Sequence, residues 1–270
     1  IWDISGNTIT ENFEGKKKTI NKKPLSFLNN LIHKFNTKVP NDIPSMSSML
    51  VGYFSYDVIR YIENIPDNCV DDLKIPDVKM IRPKNLIIYD NFKKKIFFIE
   101  NIYAETKINN YFEKYQLIKK KFETYEDYSN IKLPIKFTYS KNKNKIKSNI
   151  SKKKFKNNVK KAKEYIAKGD IFQVVLSQRF ERKINKTPLE IYNHLRISNP
   201  SPFMFYFNFD DFKIIGSSPE ILVRLRDNKI TIRPIAGTRP RGTTKVQDTK
   251  YEKDLLKYAK TRGYIKEVYK

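Results

Sequence analysis

TPLEIYNHLRISNPSPFMFYFNFDDFKIIGSS, residues 187–218, reads as one helix followed by two strands. Thr187 stands three residues before Glu190, with Pro188 between them. This is a capping box, in which hydroxyl and carboxylate each satisfy a free backbone amide and Pro takes the first helical position. The helix it starts runs to about Ile197. It stops before Asn199-Pro200-Ser201-Pro202, where two prolines pin the backbone. Two apolar runs, FMFYFNF and FKIIGSS, then flank the turn signal Asp210-Asp211. EILVRLR and KITIRPI flank Asp227-Asn228 in the same way. A helix leading into an antiparallel meander predicts the α+β class, with antiparallel sheets flanked by helices.

Upstream, Ser151 can cap a helix over about 151–168, with Phe155, Val159, Ala162 and Ile166 at intervals of three and four. Gly169 can end it in the left-handed conformation. DIFQVVLSQRFERKI, from Asp170 to Ile184, then predicts a strand. Nearer the start, Leu25, Leu28, Leu31 and Phe35 have helical spacing. SMLVGYFSYDVIR begins as a strand that Gly52 interrupts, with a short helix after it. NLIIYDNFKKKIFFIEN predicts a hairpin around Asp90-Asn91. Residues 105–123 fit a lysine-rich helix, and 126–150 are polar without periodicity. Three parts are therefore expected: 1–125, a connector at 126–150, and 151–270.

With 270 residues, 39% apolar and 13% aromatic, the chain can build a globular core. One cysteine, Cys69, excludes an internal disulfide and suits a reducing, cytoplasmic compartment. No run of about 18 apolar residues predicts a membrane span. The first residues lack an initiator Met and read as mid-domain strand, so an internal fragment is expected. A net charge of +25 has two readings. One is an anionic partner such as nucleic acid or membrane. The other is AT-rich codon usage, which inflates Lys, Asn, Ile, Phe and Tyr together. Lysines scattered along most of the chain favour the second, so neither nucleic acid nor membrane is expected as a partner.

Four stretches could carry chemistry. In RPIAGTRPRG (233–242), Gly237 lets the backbone approach a ligand, and Thr238 can donate to an anionic oxygen. Arg239 and Arg241 add positive potential suited to a carboxylate. The same stretch also reads as a turn ending a hairpin. Gln173 lies in an apolar run, where its amide needs partners, either neighbouring backbone or a ligand. Glu220, in GSSPE, is a turn glutamate facing solvent or a ligand. NPSPFMF (199–205) is a helix-to-strand connector or part of a site. His33 and His194 lack metal-spaced partners, and no Cys/His cluster, P-loop or dinucleotide fingerprint occurs.

Taken in order, GDIFQVVLSQRF, NPSPFMFYF, GSSPEILVR and RPIAGTRPRG resemble the large subunits (component I) of anthranilate synthases, within the chorismate-utilising enzymes. VGYFSYDVIRYIE and NLIIYD resemble the N-terminal region of the same subunits. The resemblance covers about residues 1–257 and implies an anthranilate/aminodeoxychorismate synthase-like fold. It also implies a lyase of tryptophan biosynthesis, joining chorismate with ammonia that a glutamine amidotransferase partner supplies. Mg²⁺ is the implied cofactor, neutralising the ring carboxylate. Gly237, Thr238 and Glu220 are the implied substrate contacts, with Thr238 and Gln173 at the catalytic centre. Family members forming a covalent adduct carry Lys where this chain has Ala236, and water-adding members carry Lys where it has Gln173. Ala with Gln implies direct attack by ammonia. Asn199, Pro200, Pro202, Phe203 and Met204 match part of the feedback site for tryptophan, with Phe203 replacing the usual tyrosine. The Leu-Leu-Glu-Ser half of that site is not found.

After YEKDLLKYAK the pattern departs. Thr261 and Tyr264 occupy the positions of two family glutamates, one of them a metal ligand. The later histidine, glycine-rich loop and second metal glutamate have no counterpart, so no metal ligand is expected within these residues. The expectation is therefore a family member that does not turn over chorismate by itself. Alternatives are aminodeoxychorismate synthase component I, against which Ala236 argues, and a non-catalytic remnant that still docks the amidotransferase.

Overall fold

The computed structural model describes residues 1–103, 110–129, 144–226, 229–232 and 239–261. The chain divides into two compact units, Ile1–Pro134 and Ile135–Lys270. Helices and antiparallel sheets occur in both, as the α+β class predicts. Among the described residues no helix is long and apolar enough to cross a membrane.

In the first unit, β1 (Trp2–Ser5), β2 (Thr8–Phe13), β3 (Lys16–Asn21), β4 (Val51–Phe54) and β5 (Val78–Ile81) form one sheet. Its order is β3-β2-β1-β5-β4, and every neighbouring pair is antiparallel. Side chains alternate between its faces. On one face Ile4, Ile9 and Val78 are fully buried and meet Leu28 of helix α1 (Pro24–Lys34). Leu31 is buried too, whereas Leu25 in the first turn is exposed and Phe35 caps the helix end beside the Trp2 ring. On the other face Lys79 donates to both oxygens of Asp3, its partner across the strand pair, at 2.7 and 2.9 Å. Tyr53 pairs with Lys79 from the other side and donates to Pro76 O at 2.9 Å. Burial first, then the charges of Asp3 and Asp77, push the Tyr53 hydroxyl up to about 12. Asp77 takes hydrogen bonds from Tyr61 and from the Gly6 amide, tying a turn and a short helical segment to the start of β5.

Gly52 does not interrupt its strand. It lies inside β4 opposite Met80, where an added Cβ would fall 1.9 Å from the Lys79 carbonyl oxygen. Close approach of two backbones, rather than a break, explains the glycine. β6 (Asn85–Asp90) and β7 (Lys95–Glu100) form the predicted hairpin. Asp90 accepts from the Phe92 and Lys93 amides in its turn, both at 2.9 Å. Helix α2 (Tyr111–Ser129) starts later and ends later than predicted, with Asn110 capping it. Its Lys114 and Lys121 approach the buried Glu100 carboxylate, each at 3.4 Å.

In the second unit, β8 (Lys147–Ser148) pairs with β9 (Phe180–Glu181). Between them runs α3 (Lys152–Lys168), capped as predicted: Ser151 accepts from the Lys154 amide and Gly169 takes φ 83°. Helix α4 (Pro188–Ser198) has the full capping box. β10 (Phe203–Asn208) and β11 (Lys213–Ser218) pair across the Asp210-Asp211 turn. Tyr192 of α4 meets Tyr206 of β10, and Phe209 is buried against Phe207 and Phe212. β12 (Arg224–Arg226) pairs with β13 (Lys229–Thr231), and α5 spans Lys245–Thr261.

Two expectations fail here. The strand predicted from Asp170 to Ile184 reduces to β9, because only β8, from the supposed connector, offers it a backbone ladder. The strands after α4 form two separate two-stranded sheets among the described residues rather than one meander. Asp227 and Asn228, expected as a turn, lie outside the described residues, as do 130–143 of the expected connector.

Ile9→Ala is expected to destabilise the first unit by about 2–5 kcal/mol through lost burial and a residual cavity. Urea unfolding followed by the emission of Trp2, the single tryptophan of the chain, measures it.

Candidate functional site

Helix α4 ends on Asn199, whose amide donates to Leu195 O at 2.8 Å. Its own carbonyl accepts from the Ser217 hydroxyl at 2.6 Å. The ladder between β10 and β11 pairs Phe203 with Ser218 and Met204 with Ser217. NPSPFMF and GSSPE, far apart in local character, thus meet at one end of a single hairpin. Pro200, Pro202 and Phe203 are exposed there, and Met204 is half-buried. Glu220 is exposed just beyond β11, its carbonyl accepting from the Ser218 hydroxyl at 3.1 Å.

Gln173 sits in the irregular segment before β9 and is exposed. The apolar run around it is exposed as well, Phe172 at 95% and Val175 at 82%, so burial does not supply the partners that a strand assignment demanded. Ala236, Gly237 and Thr238 lie outside the described residues, as does Tyr264. Thr261 closes α5.

The arginines that follow the Gly-Thr elbow are engaged by α5. Arg239 Nε donates to Asp254 Oδ2 at 2.7 Å, and its guanidinium lies 5.3 Å from the centre of the Tyr258 ring. Arg241 Nη1 donates to Asp248 Oδ2 at 2.9 Å. The second Asp248 oxygen takes the Gly242 amide, also at 2.9 Å. A Cβ on Gly242 would fall 2.2 Å from the Asp248 nitrogen, so this approach requires glycine. Sequence reasoning assigned both arginines to an incoming carboxylate. Carboxylates of the chain already hold both guanidinium groups. A local signal for this clasp was present and missed. Thr244 and Gln247 have capping-box spacing: the Thr244 hydroxyl accepts from the Gln247 amide at 3.3 Å, and Gln247 Oε1 accepts from the Thr243 amide at 2.9 Å.

The Gly242 amide, then the Arg241 guanidinium, hold the Asp248 carboxyl below its ordinary value of 3.8. A depressed folded-state pKa means that the clasp is intact above 3.8 and is lost as pH falls through the lowered value. The Gly242 amide resonance is expected to titrate with a midpoint below 3.8, and Asp248→Ala to abolish that step and speed Gly242 amide exchange at neutral pH. An NMR pH titration checks both.

Comparison with known proteins adds four findings. The family described as chorismate binding enzyme matches residues 4–263. Anthranilate synthase component 1 of Aquifex aeolicus (strain VF5) is 41% identical over 243 residues, covering 90% of this chain and 49% of the relative. That of Acetivibrio thermocellus is 38% identical over 261 residues, covering 95% of this chain and 53% of the relative. The crystal structure of anthranilate synthase component I from Streptococcus pneumoniae TIGR4 superposes with a TM-score of 0.73 at 26% identity, covering 97% of this chain and 58% of that one. The chain thus spans about half the length of the curated relatives it matches. Motif order, fold and match over nearly all of its residues agree: the chain belongs to the chorismate binding enzyme family.

Proposed function

We propose that this chain contributes the N-terminal region and part of the chorismate-handling unit of an anthranilate synthase component I. The observation that carries the reading is the family match over residues 4–263, with relatives of that name at 41% and 38% identity. Ala236 and Gln173 support it over the adduct-forming and water-adding alternatives, since neither position offers a lysine. In the proposed reaction, chorismate and ammonia give anthranilate, pyruvate and water. Ammonia forms the new C–N bond as the ring hydroxyl leaves as water, and loss of the enolpyruvyl group as pyruvate together with a ring proton makes the ring aromatic. Gly237 and Thr238 donate to a substrate carboxylate, Gln173 orients the incoming nucleophile, and Glu220 borders the substrate. A glutamine amidotransferase supplies the ammonia, and tryptophan binds at Asn199, Pro200, Pro202, Phe203 and Met204.

Mg²⁺ belongs to the same proposal as the cation of this reaction class. The described residues do not fit it. Among them no group of three or more His, Cys, Asp or Glu side chains could hold a metal. Asp248 and Asp254, the aspartates of α5, are bound to Arg241 and Arg239. The reading therefore assigns no step to a metal held by these residues.

Two measurements test it. Chorismate titrated calorimetrically into the purified chain is expected to bind, and Thr238→Ala to weaken that binding about tenfold, the loss of one hydrogen bond to a charged oxygen. Unchanged affinity in the variant, or no heat from the parent chain, overturns the substrate assignment. Because Thr261 and Tyr264 stand at the family's glutamate positions, chorismate, ammonium and Mg²⁺ with this chain are expected to yield no anthranilate fluorescence.

A further inference from the structure

Two successive hydroxyls join the segments that meet at the open end of the β10–β11 hairpin. Ser217 reaches back to the end of α4 and donates to Asn199 O at 2.6 Å. Ser218 reaches forward and donates to Glu220 O at 3.1 Å. Both serines are half-buried, whereas Asn199, Pro200, Pro202 and Glu220 are exposed. The ladder begins at Phe203, so the turn before it is tied to β11 by the Ser217 hydroxyl rather than by strand pairing. The direction of that carbonyl depends on the backbone at Asn199. Its φ of −144° and ψ of 65° lie outside the helical region, which the following Pro200 disfavours.

The ladder itself is firmly held. Phe205 pairs with Gly216, where an added Cβ would fall 2.1 Å from the Phe205 ring, so the ring lies across the glycine backbone. Phe207 and the buried Phe209 continue this row, with ring centres 5.7 and 5.5 Å apart in turn. The Asn199–Ser217 bond is thus the part of this end that can break without unzipping the strands. We propose that Ser217 is a positioning residue, whose hydroxyl carries a displacement of the 199–204 backbone into β11 and on to Glu220. What the link transmits rests on the reading above, with tryptophan at 199–204 and substrate bordered by Glu220. The link itself can be tested with neither ligand present.

Backbone amide resonances of the 270-residue chain supply that test. Pro200→Ala frees the Asn199 backbone and is expected to shift the Glu220 amide. The same change is expected to leave Glu220 in place in Ser217→Val, and to shift it again in Ser217→Thr, which has the shape of valine but keeps the hydroxyl. Ser217→Ala repeats the arm without a hydroxyl in a smaller side chain, and circular dichroism verifies each fold. The Lys154 amide, at the cap of α3, is the control and stays in place. An unmoved Glu220 in Pro200→Ala overturns the proposal, as do equal Glu220 shifts with and without the hydroxyl. Calorimetric titration of chorismate, with and without saturating tryptophan, separates the link from the reading it rests on. Tryptophan is expected to weaken chorismate binding about fivefold in the parent and in Ser217→Thr, the worth of one neutral hydrogen bond, and not in Ser217→Val. No response in the parent overturns the tryptophan assignment, while the resonance cycle still decides the link. A response undiminished in Ser217→Val overturns the link and leaves the assignment standing.

Discussion

A lysine ammonium buried inside a sheet dictates what must stand opposite it. Lys79 keeps only 11% of its side chain exposed, and its charge is met by Asp3 across the β1–β5 ladder. Without that carboxylate the desolvated ammonium would be strongly unfavourable. Strand alternation makes the consequence general. Slipping β5 by one residue would move Lys79 into the layer of Ile4 and Ile9 and turn Val78 outward. The pair therefore sets the register of the central strands, and with it the surface on which Leu28 of α1 packs. Asp77 reinforces the arrangement from the strand's start through Tyr61 and Gly6.

The second unit follows a different logic. Its helices are defined by local caps at Ser151, Gly169 and Thr187, and its loop before α5 by carboxylates on Arg239, Arg241 and the Gly242 amide. Caps contribute about 1 kcal/mol each and exposed ion pairs less. Such interactions shape elements without binding them into a core, which leaves the face of α3 and the run around Gln173 open. The hairpin β10–β11 is the ordered element on which NPSPFMF and GSSPE converge.

Legibility in the sequence followed the range of the forces involved. Helices α3 and α4 could be read with their ends because Ser151, Gly169 and the Thr187–Glu190 pair act within one turn. The β6–β7 hairpin was readable for the same reason, through Asp90. The segment from Asp170 to Ile184 was not, since apolar residues alone do not supply a neighbouring strand. Gly52 was misread because its purpose, room for the Lys79 carbonyl, lies on a strand remote in sequence. Of the candidate site, the motif order that marks the family was legible, and the elbow of Gly237 and Thr238 lies outside the described residues. The commitment of Arg239 and Arg241 to Asp254 and Asp248 was not read, although Thr244 and Gln247 advertised the start of α5.

By itself the sequence determined the α+β class, the caps of α3 and α4, the hairpin turns at Asp90-Asn91 and Asp210-Asp211, and the family. Those depend on short-range backbone chemistry and on residue order. Tertiary structure alone decided that Lys79 would be buried against Asp3 and that Ser217 would reach Asn199. Each of these outcomes depends on which distant segment arrives beside a residue, and solvent is removed from a group only once that neighbour is in place.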